Sequence, residues 1–432
     1  MIERRDGRKI PTKEIMKNLS AKIKIFAFIA LVLTMSQAAF GQDSTQQQSG
    51  IENRLHDLEQ QILILKRQRE IDQEAAAQKQ QSAAASPFGQ GRFTGVIYGD
   101  YFYNVSRDTS GNRGPALPNT AIPAASNAKN FNGFELRRFY LTFDDDFSDK
   151  LTIRFRFEDD QIAAAGGANT LFVKDAYITW KEIFSGSEAT FGEQPTPATT
   201  VSEAAWGYRS LEKTELDLRG FVTTRDLGLS LKGRIDASGN YNYWLLIADN
   251  SNTAVETEKY KRYYLNLQGK PFENFQIAVS GDYAALAPAK TTIHDNDKST
   301  VSVVAWYGVK ETFNIGAEVF SQNAANAAAA STGSATRSDI AEGYSLFGSY
   351  NITPVLAAVL RYDSFDPNTN SNVKGDSRNL LIAALSWKAD KTLFLQPNLE
   401  YETYETNPAS GASPGVSYDA SLTARLTLYY QF

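Results

Sequence analysis

The sequence predicts an all-β fold: a 16-stranded antiparallel transmembrane β-barrel preceded by a short N-terminal coiled-coil helix. Three observations predict it. Between residues 91 and 432, apolar and polar side chains alternate with a period of two in one segment after another. The connections between these segments alternate strictly, seven short and eight long, the order required of an up-and-down barrel with tight turns at one rim and long loops at the other. Beyond the first 41 residues no stretch reaches 18 consecutive apolar residues, so a helical crossing has no candidate segment.

Composition removes several function classes. The 432 residues carry 44 basic and 49 acidic side chains, a formal charge of −5. That balance disfavours nucleic acid as a partner, because such binding rests on neutralising phosphates. With no cysteine there is no disulfide framework, no Cys-ligated metal and no thiol nucleophile. The chain is rich in Phe (25) and Tyr (21), residues suited to the interfacial girdles of a membrane barrel.

Residues 1–41 read as a signal peptide. Lys22 and Lys24 precede the apolar run 25–33, and small residues follow at Ala38, Ala39 and Gly41. Met16 offers an alternative start to Met1. Residues 42–90 read as a periplasmic coiled-coil helix and linker. Ile51, Leu55, Leu58, Ile62 and Leu65 follow steps of four and three, an a/d seam about two heptads long. Residues 73–90 are a low-complexity Ala/Gln/Ser linker ending near Pro87. The alternatives at this point are a solvated helical tail or a seam that zips about three copies together.

Residues 91–432 form the barrel. The last segment shows the alternation: Leu422, Ala424, Leu426, Leu428, Tyr430 and Phe432 share one face, while Ser421, Thr423, Arg425, Thr427 and Gln431 share the other. Strands of about ten residues suit a tilted membrane span, and closure pairs every backbone group where water is absent. Tight turns are expected near Ser148, Gly186, Gly239, Asn274, Thr312, Pro354 and Asp390, and long loops near 106–130, 160–170, 195–220, 250–259, 283–298, 322–340, 365–377 and 405–416.

If the apolar parity faces lipid, the lumen receives Arg138, Arg154, Arg156, Lys232, Arg262, Arg361 and Arg425. The same parity sends Asp144, Glu158, Asp175, Asp226, Asp282, Glu318, Asp363 and Glu400 inward. Two readings stay open for Arg138, Arg154 and Arg156 on neighbouring strands. They form a basic patch on an anion path, or they pair with Asp144, Glu158 and Asp175 and brace the wall.

The segment Phe134-Glu-Leu-Arg-Arg-Phe-Tyr-Leu-Thr-Phe143 resembles the second strand of the phosphate-selective porin O/P family of Gram-negative outer membranes. So do Val173-Lys-Asp-Ala-Tyr-Ile178, Thr190-Phe-Gly-Glu-Gln-Pro195 and the block from Trp206 to Lys213 leading to Arg225-Asp-Leu-Gly-Leu229. The resemblance implies a homotrimeric 16-stranded porin in outer-membrane lipid, often with a coiled-coil extension. It also implies a water-filled channel for small hydrophilic solutes or inorganic anions, with an arginine ladder and a lysine cluster guiding phosphate. On that expectation Arg138, Arg154, Arg156, Arg262, Arg361 and Arg425 line the path.

The third long connection, 195–220, is the expected constriction loop, carrying Trp206, Tyr208, Arg209, Lys213 and Arg219. Four carboxylates against three cations make it slightly acidic, and the lysine cluster implied by the resemblance is missing from it. Trp206 and Tyr208 either contact solute or pin the loop to the wall. Catalysis is not expected. The two histidines are His56, in the tail, and His294, in a polar loop beside Asp295 and Asp297. That stretch reads as solvated in preference to a hydrolase or a cation site. No glycine-rich phosphate loop runs from a strand into a helix, so no cofactor is expected. The alternative to a channel is a structural or adhesion barrel whose lumen the loops plug.

Overall fold

The alternating segments do become strands. The computed structural model describes residues 91–108, 128–159, 171–288, 296–327, 337–407 and 415–432. The signal peptide, the coiled-coil seam, the linker, His56, His294 and Asp295 lie outside these residues.

Sixteen antiparallel strands pair in chain order and close on themselves. They are β1 Arg92–Ser106, β2 Asn132–Asp146, β3 Leu151–Asp159, β4 Leu171–Phe184, β5 Ser187–Pro195, β6 Arg225–Arg234, β7 Tyr241–Ala248 and β8 Arg262–Phe272. The circuit continues with β9 Phe275–Ala284, β10 Lys298–Val309, β11 Phe313–Ala324, β12 Asp339–Thr353, β13 Leu356–Asp366, β14 Arg378–Lys388, β15 Leu393–Tyr404 and β16 Ser421–Gln431. The seam between β1 and β16 runs from Val96–Gln431 to Ser106–Leu422, and Gly95 and Phe432 exchange both backbone hydrogen bonds at 3.0 Å.

Period-two alternation places Leu426, Leu428, Leu399, Leu385, Leu360 and their equivalents on an exposed apolar outer face. Aromatic side chains ring that face at both ends. Phe93, Phe147, Phe184, Phe272, Trp387 and Phe432 stand by the tight turns, and Tyr101, Tyr263, Tyr283, Tyr344 and Tyr362 stand towards the long loops.

Among the described residues, register shifts occur in six strand pairs, and two of them are β-bulges that change which charged residues face the lumen. Tyr98 pairs with Arg138 but Gly99 pairs with Leu136, so Arg137 is an extra residue on β2. Arg156 pairs with Asp175 but Phe157 pairs with Val173, making Lys174 extra on β4. Each bulge turns two consecutive residues inward.

The third long connection folds into the lumen. It carries two helices, α1 Pro197–Trp206 and α2 Glu215–Leu218. Pro197 opens α1, where its missing N–H costs nothing. Gly207 closes it with φ 75°, donating its N–H to Glu203 O at 3.0 Å. Residues 221–224, expected at the start of β6, belong instead to this loop.

A lumenal loop clamped by buried arginines

Spacings of three and four along α1 put Ala198, Val201 and Ala205 on one side, and these pack against an apolar patch inside the barrel. Ala198, Leu216 and Val222 meet Leu246, Ala248, Tyr264, Phe320 and Phe365, with Phe221 packed alongside. Val201, Ala205, Trp206 and Leu211 meet Ala278, Val304, Phe347, Val359 and Ala384. The inner face of β7–β14 therefore carries an apolar patch where the loop covers it. Trp206, Leu211 and Leu216 are almost fully buried, and each such burial contributes about 1.5–3 kcal/mol relative to exposure.

Polar contacts fix the loop along its length. Asn314 Nδ2 donates to Ala205 O at 2.8 Å, and Arg262 Nη2 and Gln322 Nε2 both donate to Phe221 O at 3.0 Å. Arg137 Nη1 donates to Ser210 O (2.9 Å) and Leu211 O (2.8 Å), and Ser210 Oγ donates to Gln396 Oε1 at 2.8 Å. Glu212 lies 3.6 Å from both Arg137 and Arg425. Arg361 grips Asp363 bidentately, lies 3.7 Å from Glu215, donates to Lys213 O and sits 5.1 Å from the Trp206 ring centroid. Arg219 joins Glu215 (3.0 Å) and Glu402 (3.1 Å).

These charges have defined protonation. Burial would raise the Glu212 carboxyl, but Arg137, Arg425 and the Lys213 N–H overcome it and hold the group at about 2. Burial and the neighbouring Asp363 push Glu215 well above the carboxylate range. Burial also lowers Lys213, with Arg209 and Arg138 adding to the effect against Asp217.

Every lumenal arginine expected from the sequence faces inward, but they divide into two groups. Arg262, Arg361 and Arg425 are covered by the loop and paired with Asp282, Asp363 and Glu400. Arg138 joins Glu158, Arg154 joins Asp144 at 2.6 Å, and Arg156 lies 3.4 Å from Asp175. These are the three pairings of the bracing reading. Arg154, Arg156 and Lys232 nonetheless keep 30%, 24% and 34% of their side-chain surfaces exposed, so β3–β6 is the side of the lumen that the loop leaves accessible. Trp206 and Tyr208 act as pins. Trp206 Nε1 donates to Glu212 O at 2.9 Å, its ring meets Phe347 edge-on, and the Tyr208 ring packs against it at a tilt of 58°.

Sequence parity missed Arg137, Lys174, Asp100, Glu135 and Glu402, which all face inward. The bulges hide the first two, and the doubled Arg137-Arg138 was the signal that could have revealed one of them. Where the loop approaches β2–β6, Arg138, Arg156, Lys174, Arg209, Lys213 and Arg225 gather around Glu158, Asp175, Glu203 and Asp217. Six cations against four carboxylates leave this collar net positive, although the isolated loop is slightly acidic. The wall arginines account for that difference, because they consume Glu212 and Glu215. In the loop after β9, Asp297 accepts the Leu286 N–H at 2.8 Å and the Tyr283 O–H, so its carboxylate is used within the loop.

No family model matches the chain, and no curated protein matches it. Solved structures do share its fold. The anion-selective porin from Comamonas acidovorans is 12% identical over 79% of this chain and 99% of that chain, with a TM-score of 0.55. The outer membrane channel DcaP of Acinetobacter baumannii is 12% identical over 79% and 97%, with a TM-score of 0.55. Salmonella typhi OmpF, solved in complex with daunomycin, is 12% identical over 79% and 97%, with a TM-score of 0.52. The shared feature is the porin fold.

Proposed function

We propose that this chain is an outer-membrane channel of a Gram-negative cell through which small hydrophilic solutes and ions diffuse, with inorganic anions such as phosphate favoured at the narrowing. One observation carries the reading: the lumenal loop is clamped to β7–β16 and to Arg137 of β2, and leaves β3–β6 lined by partly exposed Arg154, Arg156 and Lys232 beneath a net-positive collar. A cationic lining replaces part of an anion's hydration shell and rejects cations. The name of the Comamonas acidovorans protein, an anion-selective porin, agrees with this reading.

The local resemblance to the phosphate-selective porin O/P family belongs to the same proposal. So do export by residues 1–41, a periplasmic coil within 42–90 and assembly as a homotrimer. The test is planar-bilayer conductance of the full chain across a salt gradient, with phosphate then titrated against the chloride current. Stepwise insertion, an anion-favouring reversal potential and phosphate block support the proposal in full. A reversal potential near zero without block leaves a general channel with structural wall charges. No conductance overturns it in favour of a loop-plugged structural barrel.

A further inference from the structure

Beyond β7 the inward-facing charges, among them Arg262, Asp282 and Glu318, lie under the loop. On the tight-turn side of the loop, the inner face of β7–β11 presents Asn242, Asn266, Gln268, Gln276 and Asn314 together with Trp244 and Trp306. Two cavities open there. One of about 510 Å³ is lined by Asn242, Trp244 and Gln268 at the β7–β8 end and by Asp149, Lys181, Glu182, Glu188, Lys232 and Arg234 at the other, with the Lys232 ammonium 3.8 Å from the Trp244 ring centroid. The other, of about 450 Å³, is lined by Asn240, Gln276, Trp306 and Asn314 among others.

Two indoles on the wall of a water-filled lumen need a reason. Trp306 is half-buried, packing against the apolar cluster under the loop while also lining its cavity. Trp244 is 5% exposed, and its Nε1–H has no hydrogen-bond partner. The surrounding carboxamides are partly used, since Gln268 Nε2 donates to Asn266 Oδ1 at 2.8 Å and Asn266 Nδ2 to Ser280 Oγ at 2.7 Å. Asn314 spends its Nδ2 on the loop and retains its carbonyl oxygen as an acceptor.

The geometry points to a binding site for a neutral polyhydroxylated solute, a small carbohydrate, on the β7–β11 wall at the tight-turn mouth. A sugar carries an apolar C–H face that stacks on an indole, and hydroxyls that both donate and accept as carboxamides do. A concave wall with few convergent polar groups and aromatic area is the usual form of such a site. An inorganic anion is matched instead by the cations of β2–β6. This inference rests on the channel reading, because the solute reaches the wall through the lumen.

The test has two arms on the full chain. In detergent solution, maltotriose is titrated by calorimetry against the native protein, Trp306→Phe, Trp306→Ala and Gln268→Leu. Saturable binding that Trp306→Phe retains, and that Trp306→Ala and Gln268→Leu weaken about tenfold, is the expected result. Absence of binding overturns the inference, as does binding indifferent to both Trp306→Ala and Gln268→Leu. Inorganic phosphate binding that Trp306→Ala removes also overturns it, because the site then serves an anion. In bilayers, maltotriose added on the tight-turn side reduces the current of conducting native channels. Conductance without that reduction counts against the inference alone. A non-conducting protein that still binds maltotriose counts against the channel reading alone.

Discussion

Arg361 and Asp363 stand two residues apart on β13, on the same inner face, and form a two-pronged ion pair (Nε–Oδ1 2.8 Å, Nη2–Oδ2 2.6 Å) beneath the lumenal loop. The pair is 1% and 0% exposed and carries Glu215 of α2 at 3.7 Å. One strand thus supplies both halves of an anchor that the loop closes over. Breaking it leaves a buried carboxylate without its cation, which costs about 3–5 kcal/mol.

Arg361→Ala is therefore expected to lower the unfolding temperature of the barrel and to free the loop. Single-channel recordings should show larger, noisier conductance than the native protein, with Arg361→Lys intermediate because ammonium cannot make the two-pronged contact. Unchanged recordings from Arg361→Ala would mean that the loop is held by its apolar face alone.

Trp206→Ala removes the ring that packs on Phe347, covers Arg361 and bonds Glu212 O. Large-to-small changes of this kind cost about 3–5 kcal/mol. Thermal unfolding followed by mobility on unheated and heated gels checks the size. Trp206→Phe should recover most of the loss, since it keeps the apolar volume and gives up one hydrogen bond.

Acid should act on the loop late. The Glu212 carboxyl is depressed from 4.5 to about 2, so its contribution is present above its unfolded value and is lost as pH falls through about 2. Glu215 has the opposite sign: raised by burial and Asp363, it stabilises the folded state at low pH and loses that effect as pH rises through its elevated value. The part of the loop's hold that Glu212 supplies should stay constant from about pH 7 to about pH 4.5 and fall as pH approaches about 2. Glu212→Gln should remove that acid transition, and a transition that persists would assign it to another group.

Arg154 and Arg156 are partly exposed on the accessible side of the lumen, so solvent screens them and their removal should cost little stability. Replacing both by glutamine should lower anion preference by about fivefold, the factor that about 1 kcal/mol of Coulomb interaction through water provides. The reversal potential in a salt gradient reads this directly. No shift would leave the arginines with only their bracing role.

Gly192 on β5 sits at φ 131°, and a Cβ there would lie 2.2 Å from Ala176 O on β4. Gly192→Ala should therefore impair closure of the β4–β5 pair, read as loss of the compact heat-modifiable species, while alanine at Gly281, where a Cβ would lie 3.9 Å from Thr300 O, gives no steric clash.

The strands were legible because their signal is local. In a segment such as 421–432, each residue reports which of two media its face meets, and the pattern needs no knowledge of neighbours. The same holds for the alternation of short and long connections, which follows from up-and-down topology alone. Sequence by itself thus determined the all-β class, the sixteen strands, the inward direction of Arg138, Arg154, Arg156, Arg262, Arg361 and Arg425, and the third long connection as the loop of interest.

Tertiary structure decided the rest, for two physical reasons. A bulge adds a residue to one strand because of how its partner pairs, so the inward turn of both Arg137 and Arg138 depends on β1, and that of Lys174 and Asp175 on β3. Parity also assumes a wet lumen. Where the loop excludes water, the inner wall is apolar at Leu246, Val304, Phe347 and Ile382. There the charges of Arg361 and Arg425 serve the loop, while Arg154 and Arg156 remain open to the lumen. Which arginine meets a carboxylate of the loop and which meets water is a property of the closed barrel, since it depends on where a segment twenty residues or more away in sequence comes to rest.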